Sequence, residues 1–569
     1  MHTFLRYLTV LLFASLLFAG CAKQGMPSGG PKDEKPPVAQ SFRPEERMLR
    51  FKENGFYIGF DEYVVLKDVD NNVIVSPPMA VKPEIKVKGK GIQVKFNDTL
   101  SPNTTYLFQF KDAIADFNEG NLLPSLEYVF STGDYIDSMS LYGQAVDAMK
   151  LTPVEERVSV WLLPEGTLSD MQKALVDTSI NAPRPVYVTR CDKQGYFKFN
   201  NIKSGSYDIV AVNDENNDLA VGNSEMTAFL QNSVQSFNMR DSVIVDSSAV
   251  LRSMAESNSA KLFLFKPLVP EKQRIVSNDF ISRGCIRIVT NRPMTAPVLE
   301  TGSTTVTWRL NSHRDTLTVW TMPQQTDSIT VMISDSSGIN DTLIMRWRSG
   351  RGRGRGSVSL PSNTFNYSLN TKVLPYYDTL LIQFDTPVDT THCRLDSTVV
   401  VMRLADSTST SCNVLLNEDL MSARIPYPFR QGEKYDVNIL SGMFYDIYGR
   451  GADSLHAVIS VTKAEDYGNL SIKLEPDDVV EGLLIVQLLN ESEKVVDSSF
   501  MMQSGTVEFK HLKPGKYRIR TLFDENGNRR WDTGDFASSC LPERVVYYEK
   551  TLDVRANWDF EEVWKLKKQ

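Results

Sequence analysis

Short segments in which apolar and polar residues alternate recur along most of the chain, with turn residues between them. The clearest of these segments are 91–96, 105–110, 198–202, 206–212 and 379–384. A period of two places every second side chain on one face, which is the pattern of a half-buried strand in an antiparallel sheet. Helical periodicity is scarce, and we expect helices only in the N-terminal leader and around 168–176. The pattern predicts an all-β protein made of tandem β-sandwiches in an elongated multidomain chain.

The N-terminus carries a targeting signal. A positive charge at Arg6 precedes an apolar run over 8–18, and the small residues Ala19 and Gly20 lead into Cys21. This order predicts a secretory signal peptide over 1–20, because the apolar run is too short to span a bilayer. An ordinary signal peptide with an incidental cysteine is the alternative interpretation.

The segment Leu-Phe-Ala-Gly-Cys at 17–21 resembles the lipobox of bacterial lipoproteins, although Phe18 stands where leucine is usual. The resemblance implies diacylglycerol on the Cys21 sulfur, cleavage before Cys21 and acylation of the new amino group. Two or three acyl chains on one residue make a stable membrane anchor. We therefore expect lipidated Cys21 to tether the protein to the outer membrane, on either the periplasmic face or the cell surface. Residues 21–40, rich in Gly and Pro, are predicted to form a flexible stalk.

Two internal repeats organise the rest of the chain. The first aligns 199–218 with 509–528 without a gap and matches a phenylalanine, a glycine turn and a tyrosine strand in both copies. Together with LYGQAVDA at 141–148 and TRCDKQGYFKF at 189–199, this repeat resembles the carboxypeptidase-regulatory or transthyretin-like sandwich family. The resemblance predicts two such sandwiches, over 136–267 and 465–569.

The second repeat is looser and relates the front of the chain to a later part. FDE at 60–62, AIADFNEGN at 113–121 and FSTG at 130–133 recur in part as FD at 384–385 and MFYDIYGRG at 443–451. This series resembles the bacterial Ig-like domain of the S-layer type, which is found at the front of many Bacteroidetes lipoproteins. It predicts Ig-like domains over 41–135 and 357–464 and a degraded copy over 268–349. The Gly/Arg run 350–356 is predicted to be a solvated linker, with a contact of its arginines to nucleic acid or an anionic glycan as the alternative.

Twelve-residue loops that follow the tyrosine strand in both copies of the first repeat carry oxygen side chains at positions 1, 3, 5 and 12. Calcium takes six to eight oxygen ligands in an order of this kind. The candidate ligands are Asp214, Asn216, Asp218 and Glu225 in one loop, and Asp524, Asn526, Asn528 and Asp535 in the other, where Asp532 adds position 9. A calcium loop usually has glycine at position 6, whereas this position is Leu219 in the first loop and Arg529 in the second. The alternative is a solvated Asx-rich turn that closes a hairpin.

Composition narrows the function classes. A formal net charge of -8 over 569 residues gives no general attraction for nucleic acid, so we expect no nucleic-acid partner. The six cysteines contain no CxxC pair, which gives no support to metal clusters or thioredoxin chemistry. Cys393 and Cys412 either form a disulfide or are buried as small apolar residues.

Catalytic motifs such as HExxH, GxSxG and the P-loop are missing from the sequence. We therefore predict a non-enzymatic cell-envelope lipoprotein that acts as a structural or binding and adhesion module, with envelope proteins or glycans as partners and no required cofactor beyond possible calcium. A carbohydrate-binding surface lipoprotein, in which Trp308 and Trp320 form a stacking platform, is one alternative. An accessory to an envelope hydrolase is another.

Overall fold

A computed structural model describes residues 33–154, 157–177, 179–238, 260–268, 272–282, 284–301, 306–321, 328–336, 338–346, 365–396, 399–477 and 482–566. The predicted signal peptide, Cys21, most of the stalk and the 350–356 linker lie outside these residues. The chain divides into two compact units, of which unit 1 comprises Met1–Leu268 and Thr533–Pro542, and unit 2 comprises Val269–Asp532 and Glu543–Gln569. Within the described part of the chain, no helix has the length and apolar character needed to cross a membrane.

The first region of unit 1 is a sandwich with an aromatic core. Two sheets, in the orders β1-β2-β6-β5 and β4-β7-β9, enclose this core, and β3 pairs with β8. The rings of Phe56 and Tyr128 stack with centroids 3.9 Å apart at its centre. Its elements are β1 (Ala39–Arg43), β2 (Gly55–Phe60), β3 (Val64–Leu66), α1 (Val69–Asn72), β4 (Ile74–Ser76), β5 (Glu84–Val87), β6 (Gly91–Lys95), β7 (Thr105–Gln109), β8 (Ile114–Asp116) and β9 (Glu127–Ser131).

The second region of unit 1 is also a sandwich, and it carries the helix predicted around 168–176. Its sheets have the orders β13-β10-β17, with β18 parallel to β10, and β12-β11-β14-β15, with β16 on β14. Its elements are β10 (Met139–Asp147), β11 (Ser159–Pro164), α2 (Leu168–Val176), β12 (Tyr187–Arg190), β13 (Tyr196–Ile202), β14 (Ser206–Val212), β15 (Thr227–Phe229), β16 (Val234–Gln235), β17 (Phe237–Asn238) and β18 (Ala260–Leu264).

Unit 2 begins with two further regions of mostly antiparallel sheets, in which β27 of the fourth region is parallel to β34. The third region has the sheets β19-β20-β23-β22 and β21-β24-β25, and the fourth has β26-β28-β32-β31 and β27-β34-β33-β29-β30. The strands are β19 (Ile275–Ser282), β20 (Cys285–Thr290), β21 (Val298–Glu300), β22 (Val306–Leu310), β23 (Thr316–Thr321), β24 (Ser328–Ser334), β25 (Asn340–Arg346), β26 (Tyr367–Leu369), β27 (Val373–Leu374), β28 (Leu381–Phe384), β29 (Val399–Arg403), β30 (Thr408–Cys412), β31 (Leu415–Leu416), β32 (Ser422–Arg424), β33 (Lys434–Ile439) and β34 (Leu455–Val461).

The fifth region follows a 3-10 helix over Ala464–Asp466 and repeats the topology of the second. Its sheets have the orders β38-β35-β42, with β42 parallel to β35, and β37-β36-β39-β40, with β41 on β39. The strands are β35 (Gly468–Pro476), β36 (Leu483–Leu489), β37 (Val495–Met501), β38 (Gly505–Leu512), β39 (Gly515–Asp524), β40 (Val545–Tyr547), β41 (Leu552–Val554) and β42 (Asp559–Leu566). The prediction of an all-β chain of tandem sandwiches is confirmed.

Candidate binding site at the first domain junction

The loop that follows β14 is closed by a buried carboxylate. Asp214 is 4% exposed and accepts backbone hydrogen bonds from Asp218 and Leu219, both at 3.2 Å. Burial raises the pKa of Asp214, while these backbone N–H donors act in the opposite direction. Asn216 and Asp218 serve as Asx turns, because their side-chain oxygens accept from the N–H groups of Asp218 and Ala220.

The loop that follows β39 has the same construction. Asp524 is fully buried and accepts from the N–H groups of Gly527 and Arg529, each at 2.7 Å. Asn526 and Asn528 accept from backbone N–H groups two residues further on, at 3.0 Å.

Position 6 is left-handed in both loops, although neither residue there is glycine. Leu219 has a φ of 59° and Arg529 a φ of 65°. In the sequence, the lack of glycine at position 6 counts against a calcium loop. In the structure, Leu219 and Arg529 adopt the left-handed conformation that glycine favours.

The final acidic position differs between the loops. Glu225 accepts from the N–H of Gly222 at 2.7 Å, whereas in the second loop Glu543 accepts from the N–H groups of Glu525 and Asp532 at 3.0 and 2.8 Å. Burial raises the pKa of Glu225 and of Glu543. Sequence reasoning missed Glu543, because Thr533–Pro542 separates it from the spacing of the first loop.

The remaining two candidate calcium ligands, Asp532 and Asp535, also have local partners in the structure. Asp532 accepts from the side-chain amide of Asn526 at 2.6 Å. Asp535 lies in the Thr533–Pro542 segment of unit 1, and its carboxylate accepts from the N–H of Ala537 and the hydroxyl of Ser538. Among the residues that the structure describes, no group of three or more His, Cys, Asp or Glu side chains is placed to hold a metal ion. Calcium binding stays a prediction.

The first loop extends to the first region of unit 1. The side-chain amide of Asn217 donates to Oδ1 of Asn71 at 2.9 Å, and its own Oδ1 accepts from the guanidinium of Arg190. The same guanidinium donates to the backbone oxygen of Asn71. Burial lowers the pKa of Arg190. Two more bonds join the same regions, from Lys111 Nζ to the Arg190 carbonyl at 3.1 Å and from the Val188 N–H to Ser76 Oγ at 3.1 Å.

A cleft of about 130 Å³ opens at this junction. Most of its wall is apolar and comes from α1, β4, the connection to β5, and β12, while Leu219 is supplied by the first loop. Charged side chains also line it, and because Lys82 and Arg190 are positive while Asp70 is negative, the net charge of the lining is positive. The lining residues are Val69, Asp70, Val73, Ile74, Val75, Pro78, Met79, Lys82, Pro83, Ile85, Ser159, Val188, Arg190, Asn217 and Leu219. Such a cleft suits a ligand group that is apolar and lies next to a negative charge.

One histidine has the neighbours of a catalytic triad but not its geometry. His392 Nδ1 lies 2.6 Å from Asp389 Oδ2 and 2.9 Å from Thr391 Oγ1. In a working triad the carboxylate and the nucleophile bind opposite ring nitrogens, so that the histidine can relay a proton. Here both groups meet the same nitrogen. Hydrogen bonds from Thr391 and then His392 lower the pKa of Asp389 to about 2.

Trp308 and Trp320 do not form the stacking platform of the carbohydrate-binding alternative; tryptophan in a sandwich is more often part of the core, as Trp320 is. Trp308 pairs across the sheet with Val319, whereas Trp320 pairs with Thr307. Paired residues lie on the same face of a sheet, so Trp308 lies on the face of Val319. Because Val319 and Trp320 are neighbours in β23, Trp320 points to the opposite face. Trp320 is buried, and Trp308 is 39% exposed.

The five cysteines in the described part of the chain are all free, so Cys393 and Cys412 form no disulfide. Cys412 is buried and Cys393 partly so. The Sγ of Cys393 accepts from the Tyr445 N–H at 3.1 Å. The sequence leaves open either a disulfide or burial as small apolar residues. The structure agrees with burial, which is nearly complete for Cys412 and partial for Cys393.

Comparison with known proteins supports the Ig-like resemblance at the front of the chain. The family model described as bacterial Ig-like domain matches residues 33–132. No curated protein matches the chain.

Solved structures that resemble the chain include the Bacteroides ovatus mixed-linkage glucan utilization locus protein SGBP-B, with 9% identity, coverage of 84% of this chain and 99% of that one, and a TM-score of 0.16. The Bacillus anthracis TIE protein has 10% identity, coverage of 95% and 76%, and a TM-score of 0.13. The Bacillus cereus major pilin subunit BcpA has 8% identity, coverage of 76% and 99%, and a TM-score of 0.15. Similarities this weak carry no functional conclusion.

Proposed function

We propose that this protein is a non-enzymatic binding module that a lipid on Cys21 holds at the bacterial outer membrane, with the junction cleft of unit 1 as its ligand face. The order of apolar, small and cysteine residues at 17–21 supports the anchor. The resemblance to Ig-like and transthyretin-like sandwiches supports a binding or structural role, since such modules more often position and bind than catalyse.

The construction of the cleft is the observation that carries the proposal. Its two sides come from different sandwiches, and the bonds among Asn71, Arg190 and Asn217 hold those sides together. A cleft whose walls are already fixed loses little conformational entropy when a ligand binds.

Photo-crosslinking in intact cells tests the proposal. A photoreactive residue is placed at Val81, which is 50% exposed in the β4–β5 connection beside the cleft, and in a control chain at Val176, which is 76% exposed at the end of α2. We expect Val81 to crosslink to an envelope component and Val176 to give no such product. No crosslink from Val81 in cells that express the full chain would overturn the binding role of this face. Protease treatment of intact cells then decides between the cell surface and the periplasmic face.

Carbohydrate binding is the second candidate, and one observation favours it. Trp558 is 56% exposed, and its ring lies 5.9 Å from that of Phe560. Exposed aromatic rings are suited to stacking on sugars. Binding to a glycan array that Trp558→Ala abolishes would support this candidate. No binding to any glycan would contradict it, and binding unchanged by Trp558→Ala would exclude the surface around Trp558.

A further inference from the structure

Strand β5 ends one sheet of the first sandwich, and within the described residues no second strand pairs with it. It is the last strand in the order β1-β2-β6-β5, and β6 is its partner in the sheet. The N–H of Lys88 donates to the carbonyl of Gly91 at 2.8 Å, which fixes the hydrogen-bonding register of this hairpin. Because antiparallel pairs alternate, Lys86 faces Gln93 in the ladder, and the backbone groups of Ile85 and Val87 point away from β6.

The hairpin formed by β5 and β6 is strongly basic. Residues 82–95 contain five lysines and one glutamate, in a chain whose formal net charge is -8. All five lysines are exposed, and they are Lys82, Lys86, Lys88, Lys90 and Lys95. One of them, Lys86, forms an ion pair with Glu84, the single acidic residue of the hairpin. The hairpin therefore carries a net positive charge, because its single glutamate balances one of the five lysines.

The junction cleft lies next to this edge. Ile85 belongs to β5 and lines the cleft, and Lys82 lines it from the preceding connection. A strand that paired with β5 would therefore place some of its side chains at the mouth of an apolar cleft. The volume of about 130 Å³ suits a large apolar side chain better than a polysaccharide chain.

We propose that β5 binds an extended acidic peptide segment of a partner protein as an added strand, with one apolar side chain in the junction cleft. This inference rests on the proposed function and names the chemical class of its ligand. Backbone hydrogen bonds at an open edge give affinity, and a side-chain pocket gives specificity. The lysines restrict the choice of partner, because like charges disfavour pairing with a second copy of β5.

Peptide binding to the purified full chain tests the inference. The probe is a fluorescent seven-residue peptide that alternates glutamate with valine or isoleucine, and its anisotropy reports binding. A matched peptide with lysine in place of glutamate and one with serine in place of the apolar residues serve as comparisons. We expect the first peptide to bind and the other two to bind at least about tenfold more weakly. Equal binding of the serine peptide, or binding of polygalacturonate with displacement of the probe, would overturn the peptide assignment in favour of a general anion surface.

Two variants locate the site. Lys86→Glu with Lys88→Glu is expected to weaken binding by about tenfold or more, whereas the control pair Lys52→Glu with Lys150→Glu, exposed lysines elsewhere in unit 1, changes it less than about twofold. Val87→Pro removes a backbone N–H that points away from β6 and therefore removes no hydrogen bond between β5 and β6. We expect this variant to bind the fluorescent peptide more weakly and to keep the melting temperature of the native chain.

Two outcomes separate this inference from the proposed function. Unchanged affinity in both variants would overturn the inference. A crosslink from Val81 in cells, together with no binding of the acidic peptide, would leave the proposed function in place and remove this ligand class.

Discussion

Asn217 donates a hydrogen bond from its side-chain amide to Oδ1 of Asn71 at 2.9 Å, across 146 residues of sequence. The donor belongs to a loop whose oxygen-rich spacing predicts a cation site, and the acceptor belongs to α1 of the neighbouring sandwich. The same Asn217 side chain accepts from Arg190. One loop residue therefore completes the junction that frames the cleft.

Asn217→Gly is expected to loosen this junction. Asn217 has a φ of 55°, and Gly527 holds the equivalent position of the second loop at a φ of 73°, so glycine fits the backbone there. The loss comes from the two side-chain bonds and from leaving the partly buried Arg190 with fewer acceptors, which costs about 1–3 kcal/mol. Hydrogen exchange of the Val188 N–H, which bonds Ser76, should become faster. Asn216→Gly is the control, and equal exchange in both variants would contradict the role of Asn217.

Phe536→Ala is expected to destabilise unit 1. Phe536 is 1% exposed, and its ring lies 5.5 Å from that of Phe229 in an edge-to-face arrangement. Removing a buried phenylalanine typically costs about 3–5 kcal/mol. Leu541→Ala is the control from the same segment, because Leu541 is 41% exposed and should cost less than about 0.5 kcal/mol. Calorimetry of the full chain measures both, and equal melting temperatures would refute the packing role of Phe536.

The calcium prediction for the two loops has a thermal test. A ligand that binds only the folded state adds about 2.7 kcal/mol to the free energy of unfolding at 100 times its Kd. If the loops bind calcium, the melting temperature should rise in millimolar calcium and fall after chelation, and Asp524→Asn should reduce the rise. A melting curve unchanged by calcium and chelator would leave both loops as Asx turns.

The buried acids of the loops predict a pH dependence of stability. Burial raises the pKa of Glu543, so the folded state holds its proton more tightly than the unfolded state does. Its contribution to stability is fully present below the unfolded pKa and is lost as the pH rises through the folded pKa. The free energy of unfolding of the native chain relative to Glu543→Gln should therefore fall as the pH rises from below the ordinary pKa of glutamate through the raised pKa of the folded state. A difference that grows over this range would have the wrong sign.

Local patterns in the sequence were sufficient for the strands and for the repeated topology. The alternation over 206–212 corresponds to β14, and the helix expected around 168–176 is present as α2. The period of apolar and polar residues is a local property of the sequence, so it predicts strands without any knowledge of tertiary contacts.

The site required tertiary information. Arg190 and Asn71 lie 119 residues apart, and nothing in their sequence neighbourhoods links them. Glu543 was missed because an inserted segment breaks the ungapped spacing of the repeat. The Trp308 and Trp320 platform failed because it depended on which face of a sheet each residue occupies, and that depends on the register.

Metabolic labelling with palmitate tests the central claim most directly, since the proposed role requires the chain to be held at the membrane by Cys21. Cells that express the full chain or Cys21→Ser are labelled, and the protein is purified and fractionated. We expect palmitate label and outer-membrane location for the native chain, and loss of both in Cys21→Ser. A native chain that takes up no palmitate and separates with the soluble fraction would contradict it.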